Sequence, residues 1–389
     1  MKNFRAEGDR ITEELVTWRR YLHAHAEIGL ELPQTADFVE EKLQEMGVTP
    51  KRIGHSGVVV MLGQGEKLFF LRADSDGLPI LEDTDLPFAS KNGNMHACGH
   101  DFHTTALLGA VKILKEHESE LKGRVMCLFQ PGEETQTGAL SMIEHGIFAD
   151  EMPEAGMSLH VFPLDLCTVN SRPGYVCASS DMFTITVTGI GCHGAYAFQG
   201  VDPINIASHI VISLQEFQGR EVSSNDNMVL TICAINGGDA TNVFPNEVVM
   251  KGSLRTASNE VRAFGKQRIV EICDGVAKTF RGSAKVDFHG AGAVPMINDV
   301  ELFHEVLPYV NSISGEDMYH DMVPITGSED FAEFAALFPC VDFWIGTGSI
   351  EQGCVYPLHH PKIVFGEEAL PRMAAIFATA AYNWLENHS

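Results

Sequence analysis

No stretch of this 389-residue chain is long and apolar enough to span a bilayer. Internal repeats and low-complexity tracts are also missing, which sets aside solenoid and linker-rich architectures. Positive charge is scarce: 27 Lys and Arg against 52 Asp and Glu leave a formal net charge of −25. Nucleic acid and anionic membranes both demand a basic surface, so neither is expected as a partner, and an anionic small substrate would need local cationic help. A disulfide framework is absent too. Nine Cys at irregular spacings fit reduced thiols and a metal ligand better than paired bridges. Residues 1–10 are charged, with no apolar run ahead of a cleavage site, so the expected location is cytoplasmic. What is present is a 45% hydrophobic content over a length that favours two domains.

The most concentrated chemistry lies in Met95-His96-Ala97-Cys98-Gly99-His100-Asp101-Phe102-His103. Cys98 and His100 flank a glycine, so a tight turn can aim a thiolate and a neutral imidazole at one transition-metal ion. Asp101 would then hold a ligand or cap the helix that follows. The competing reading is a buried Cys acting as a small hydrophobe beside histidines that satisfy backbone groups.

Along the chain, Ile11, Leu15, Trp18 and Leu22 recur at helical spacing, as do Phe38, Val39, Leu43 and Met46 before Gly47. Residues 57–62 and 67–71 read as short apolar strands, the second running into Arg72-Ala73-Asp74-Ser75-Asp76-Gly77. In open α/β sheets ligands bind beyond the carboxyl ends of strands, which places Asp74 and Asp76 where a ligand or supporting carboxylate belongs; a solvated turn is the alternative, and function is favoured for Asp74 only. Residues 124–129 give another strand and end in Gln130-Pro131-Gly132-Glu133-Glu134. Adjacent carboxylates need water or a metal beside them, and in a hydrolase one can ligate while its neighbour takes a proton from water. An exposed acidic turn is the alternative. His160 sits in an apolar strand-like run and His359-His360 lie near the C-terminus. Cys98, His100, Glu134, His160 and His359 thus all end short apolar segments, and five donors suit two adjacent ions better than one tetrahedral ion.

Between residues 181 and 295 the texture changes. Residues 182–188, 229–235, 248–254 and 285–288 alternate like half-exposed strands, with helical stretches at 203–217 and 260–280. Strand-helix-strand-strand-helix-strand is the order of a split β-α-β sandwich, inserted at 181–295 into a larger domain made of 1–180 and 296–389.

Six ordered motifs together resemble the metal-dependent amidohydrolases, the family of aminoacylases, hippurate hydrolases, auxin-conjugate hydrolases and some carboxypeptidases. They are Met95 to Asp101, Gln130 to Glu134, Leu159-His160-Val161, Asn242-Val243-Phe244-Pro245, Ser328-Glu329-Asp330-Phe331 and His359-His360-Pro361. The resemblance implies an α/β catalytic domain with a mostly parallel sheet flanked by helices and a two-metal site, plus an inserted ferredoxin-like lid and dimerisation domain. It implies that Cys98 bridges two divalent ions (Zn²⁺, Mn²⁺, Co²⁺ or Ni²⁺) with His100, Glu134, His160 and His359 completing the ligands, and that Glu133 is the general base. It further implies that His193 steadies the oxyanion, that Asn242 and Arg255 hold the substrate, and that the protein is a homodimer. One departure follows His193, where Gly194-Ala195-Tyr196-Ala197-Phe198 lacks the Pro-His pair common in that family. The expected activity is cleavage of the amide bond of an N-acyl amino acid. A dipeptidase or carboxypeptidase and an N-acetyl diamino acid deacetylase are alternatives. A non-catalytic metal- or small-molecule-binding protein is the reading from another class, although a pure binder has no need of Glu133.

Overall fold

A computed structural model describes all 389 residues. The chain divides into two compact units, the first made of Met1–Val176, Ile297–Val323 and Asp330–Ser389, the second of Cys177–Met296 and Pro324–Glu329.

The first unit is built on an eight-stranded sheet. Its centre is four mutually parallel strands in the order Arg124–Gln130, Leu68–Asp74, Ala155–Phe162 and Cys340–Gly346. The strand Gly57–Gly63 runs antiparallel beside Arg124–Gln130, and Val169–Ser171 runs antiparallel beside Cys340–Gly346. Every residue of Leu68–Asp74 and Cys340–Gly346 is buried. Such continuous burial is what a parallel strand covered by helices on both faces requires, and it explains the near-unbroken apolar run Leu68-Phe69-Phe70-Leu71.

The helices His100–Glu116 and Ala369–His388 pack on each other and on this sheet. Small residues permit the approach. A Cβ on Gly109 would fall 2.8 Å from both the Ala374 Cβ and the Leu15 Cδ2, so the helix crossing is as close as backbone allows. Larger side chains fill the remaining space: Phe69 and Trp384 meet with ring centroids 5.2 Å apart. Each such ring, fully buried, contributes on the order of 1.5–3 kcal/mol of transfer free energy.

The second unit carries a four-stranded antiparallel sheet in the order Ser283–Phe288, Asp181–Thr188, Glu247–Thr256, Met228–Asn236. Phe183, Ile185 and Val187 point into its core while the residues between them are exposed or half-buried, the alternation of a sheet covered on one face. The helices Pro203–Arg220 and Asn259–Thr279 cover that face with Ile206, Ile210, Leu214 and Ile269. Asp202 caps the first by accepting from the Ile204 and Asn205 N–H groups, and Ser258 caps the second. The chain order is strand-helix-strand-strand-helix-strand, the split β-α-β arrangement the alternation predicts.

Candidate metal centre

The centre forms at the carboxyl ends of the parallel strands, where an open α/β sheet leaves its ligand crevice. Gly99 sets its geometry. It adopts φ +84° at the N-cap of His100–Glu116, and a Cβ there would lie 2.2 Å from Val161 Cγ2, so only glycine fits. The turn presents Cys98 and His100 on one side. His359 is brought to the same place by its backbone N–H, which donates to the Ala97 carbonyl over 2.9 Å.

Five of the donor atoms then crowd together. Cys98 Sγ lies 3.3 Å from His359 Nε2 and 3.5 Å from His160 Nε2. Glu134 Oε1 is 3.4 Å from His359 Nε2 and 3.9 Å from His100 Nε2. Metal–ligand bonds of about 2.0–2.3 Å at tetrahedral angles separate neighbouring donors by about 3.3–3.8 Å, so these spacings are those of donors around an ion. They fall into two triads, Cys98 with His100 and His160, and Cys98 with Glu134 and His359, which share the thiol. Glu133 Oε2 stands 3.9 Å from His100 Nε2.

The polar atoms of this cluster fit a cation. Both ring nitrogens of His100 and the Oε1 of Glu134 are buried without a well-formed hydrogen bond, the nearest groups being Asp76 Oδ1 at 3.5 Å from His100 Nδ1 and His359 Nε2 at 3.4 Å from Glu134 Oε1, an arrangement that costs on the order of 1–3 kcal/mol per group unless something occupies it. Burial, reinforced by the Glu134 carboxylate, pushes the Cys98 thiol well above its ordinary range. A thiolate here therefore depends on positive charge beside it. Burial also works against ionised Glu134, but the His359 and His100 imidazoles beside it outweigh burial and hold the carboxyl below its usual value.

Behind the donors lies a fully paired polar layer. Arg72 forks to three partners, with Nη1 to Asp74 Oδ2 at 2.8 Å, Nη2 to Asp330 Oδ1 at 2.6 Å and Nε to Gln130 Oε1 at 2.9 Å. Asp330 also accepts from Gln130 Nε2 and the Ala139 N–H, which braces the turn after Gln130. Asp74 Oδ1 is bonded to His103 Nδ1 at 2.5 Å, and its other oxygen lies 3.7 Å from His100 Nε2.

Two of these supporting residues escape the sequence reading, which favours function for Asp74 alone. Asp76 accepts the backbone N–H groups of Glu133 and Glu134, and His103 receives the Val161 N–H. For Asp76 the only sequence signal is its place in the same strand-end run as Asp74. Asp101 does more than the helix-capping role expected of it. Its Oδ1 does take the Phe102 N–H of the first helical turn at 3.1 Å, while its Oδ2 accepts from Arg19 Nε at 2.8 Å and His23 Nδ1 at 2.9 Å, because a buried carboxylate this close to a buried guanidinium is stable only as a pair.

The remaining predicted residues belong to the second unit. His193 is exposed and its Nδ1 accepts the Ala195 N–H at 3.1 Å. Asn242 is its neighbour: the Gly194 N–H donates to the Asn242 carbonyl at 2.7 Å, and His193 pairs with Val243. Arg255 is half-buried and donates to Ser328 Oγ at 3.1 Å. Burial lowers its pKa from the ordinary guanidinium value. The Asp181 carboxylate partly offsets that burial.

Similarity to known proteins agrees with this chemistry. Residues 70–383 match the model of peptidase family M20/M25/M40. The N-acetyl-L-cysteine deacetylase of Bacillus subtilis is 35% identical, over 97% of this chain and 90% of that protein. The IAA-amino acid hydrolase ILR1-like 2 of Arabidopsis thaliana is 34% identical, over 98% of this chain and 87% of that one. Among solved structures, a dinuclear metal binding peptidase of the M20 family from Bacillus subtilis superposes with a TM-score of 0.82 at 30% identity, covering 97% of this chain and 99% of the other. With the parallel sheet, the shared-thiol donor cluster and a family match over most of its length, the chain belongs to peptidase family M20/M25/M40 and is a metal-dependent amidohydrolase.

Proposed function

We propose that the protein hydrolyses the amide bond of N-acyl amino acids, using two divalent ions held by Cys98, His100, Glu134, His160 and His359. The observation that carries this is the pair of donor triads meeting at Cys98, with buried His100 and Glu134 atoms left without well-formed hydrogen bonds. Bound ions would supply Lewis acidity, polarising the amide carbonyl and bringing the ionisation of water to about pH 7. The protein's own groups do the rest. Glu133, beside Glu134 on the same turn, accepts a proton from the attacking water and delivers it to the leaving amine. His193 donates to the developing oxyanion, a contact whose loss costs roughly 3 kcal/mol in other hydrolases. Arg255 offers a guanidinium fork to the substrate carboxylate, with Asn242 as a second polar contact. That local charge answers the acidic surface.

Zn²⁺, Mn²⁺, Co²⁺ and Ni²⁺ all suit a donor set of imidazole, carboxylate and thiolate. The second unit serves as lid and dimerisation domain of a homodimer, its edge strands Met228–Asn236 and Ser283–Phe288 being the ones left without a neighbour on one side. The enzyme is placed in the cytoplasm by this reading, and the scarcity of cations supports one that binds neither nucleic acid nor anionic membranes; no helix is long and apolar enough to cross a membrane.

Protein purified without chelator, analysed for metal and offered a panel of N-acyl amino acids, dipeptides and N-acetyl diamino acids, tests the reading. Two ions per chain and release of free amino acid from N-acyl substrates, abolished by chelator and restored by added metal, are expected. Two-ion protein inert toward every N-acyl amino acid in the panel would sink it.

A further inference from the structure

The two parallel strands Leu68–Asp74 and Ala155–Phe162 separate before they end. Their ladder runs from Phe69 opposite Ala155 to Arg72 opposite Ser158 and stops, although Ala155–Phe162 stays paired with Cys340–Gly346 through Phe162. His160 therefore sits on a stretch of strand that has lost its neighbour on one side. His103 bridges that gap. Its Nε2 receives the Val161 N–H at 2.8 Å, and its Nδ1 is bonded to Asp74 Oδ1, on the last residue of the departing strand. Val161 is engaged at its carbonyl as well, by His160 Nδ1 at 2.7 Å.

Donor and acceptor logic settles the tautomers. A backbone N–H can only donate, so His103 Nε2 carries no proton and its Nδ1 proton faces Asp74. A carbonyl can only accept, so the proton of His160 is on Nδ1 and the lone pair is on Nε2, the atom 3.5 Å from Cys98 Sγ. The rings of His103 and His160 also pack together, with centroids 4.5 Å apart. His103 lies within reach of the Asp74 and His100 donor atoms and so counts geometrically among possible ligands. Both of its nitrogens are already engaged.

Resting on the two-ion reading, we infer that His103 is a positioning residue and not a ligand. It replaces the missing strand as hydrogen-bond partner of Val161, and through that peptide it fixes the ring of His160 for the ion on the Cys98, His100 and His160 side. The triad of Cys98, Glu134 and His359 does not depend on it.

Cobalt titration of metal-free protein tests this with a readout apart from catalysis, following ions bound per chain and the cobalt–thiolate absorption. His103→Ala and His103→Asn remove the acceptor for the Val161 N–H, whereas the longer carboxamide of His103→Gln can reach it. Loss of an outer partner of a metal-binding His typically weakens binding by about 10- to 100-fold. Wild type should bind two Co²⁺. The Ala and Asn variants should hold one as tightly as wild type and the other about 10- to 100-fold more weakly, with Gln restoring it to within a few-fold. Both ions bound at wild-type affinity by His103→Ala would overturn the inference. So would equal weakening of both ions in all three variants with a lowered thermal midpoint of the metal-free protein, the signature of a role in folding alone. A wild type that binds fewer than two ions would overturn the two-ion centre itself, and this inference with it, before any variant is compared.

Discussion

The backbone N–H of Glu133 donates to Asp76 Oδ1 over 3.0 Å. The other oxygen of Asp76 takes the Glu134 N–H at 3.2 Å, so the turn bearing both carboxylates is held through its peptide groups. Exchanging the Glu133 side chain should then leave the turn in place. Glu133→Gln is expected to keep its full metal content and to lose about 10²- to 10⁴-fold in kcat, the usual range for a positioned proton acceptor. Wild-type turnover at full metal occupancy would remove Glu133 from the role of base.

Cys98 should respond to metal in a way the other thiols do not. Cys233 is exposed, while Cys98 is buried and its thiol pKa is raised by that burial. Mapped labelling is expected to modify Cys233 fastest, Cys98 of metal-free protein more slowly, and Cys98 of metal-loaded protein hardly at all. Equal labelling of Cys98 with and without metal would return it to the ordinary buried cysteines.

Gly99→Ala separates backbone strain from collision. Gly99 and Gly47 both adopt positive φ, at +84° and +71°, but a Cβ has nothing within 4 Å at Gly47 and meets Val161 Cγ2 at 2.2 Å from Gly99. Gly47→Ala should lose roughly 1–2 kcal/mol from the left-handed conformation alone. Gly99→Ala should lose more, and should bind metal more weakly because Val161 carries the partner of His160. Matching unfolding free energies for the two variants would contradict the collision.

His23 supplies a pH dependence. Burial and Arg19 oppose its charge, but hydrogen bonds and attraction to Asp101 and Glu82 prevail and raise its pKa above the ordinary imidazole value. A group with a raised folded pKa stabilises fully below its unfolded value, about 6.5, and loses that contribution as pH rises through the folded value. In chelator-treated protein, the stability advantage of wild type over His23→Gln should therefore be greatest below about pH 6.5 and shrink toward pH 9. Urea unfolding across that range checks the sign, and an advantage that grows with pH would reverse the assignment.

The proposed homodimer has a complementation test. If His193 completes the site of the partner subunit, mixing His193→Ala with Glu133→Gln protein should regenerate one intact site per heterodimer and recover activity that neither variant shows alone. Demonstrated exchange without recovery would confine catalysis to single subunits.

The residues that crowd at the candidate centre were legible in the sequence because thiols, imidazoles and carboxylates declare their chemistry wherever they stand, and Cys98, His100, Glu134, His160 and His359 all lie in or beside short apolar segments. The second unit was legible for a different reason: Phe183, Ile185 and Val187 alternate with exposed or half-buried positions, and a covered sheet needs that period. Asp76 and His103 were not legible. Their roles depend on peptide N–H groups 57 and 58 residues away, and every residue but proline has such a group, so no side chain announces the partner. The pairing of Asp101 was hidden for a related reason, since Arg19 lies 82 residues upstream and its proximity exists only after the helix Thr12–Ala24 has packed on His100–Glu116.

The helix Ala369–His388, buried along most of its length against His100–Glu116, has a consequence for how the chain is made. His359 leaves the ribosome 261 residues after Cys98, and this helix follows it. The nascent chain thus carries Cys98 and His100 through 261 residues of synthesis without His359 or the helix that packs beside them. The Phe4 N–H also waits for Thr379 Oγ1, and the Lys2 N–H for Asn383 Oδ1. A chain interrupted before residue 369 would lack the wall on which Phe4 and His100–Glu116 pack, and the cluster cannot close until that helix has been made.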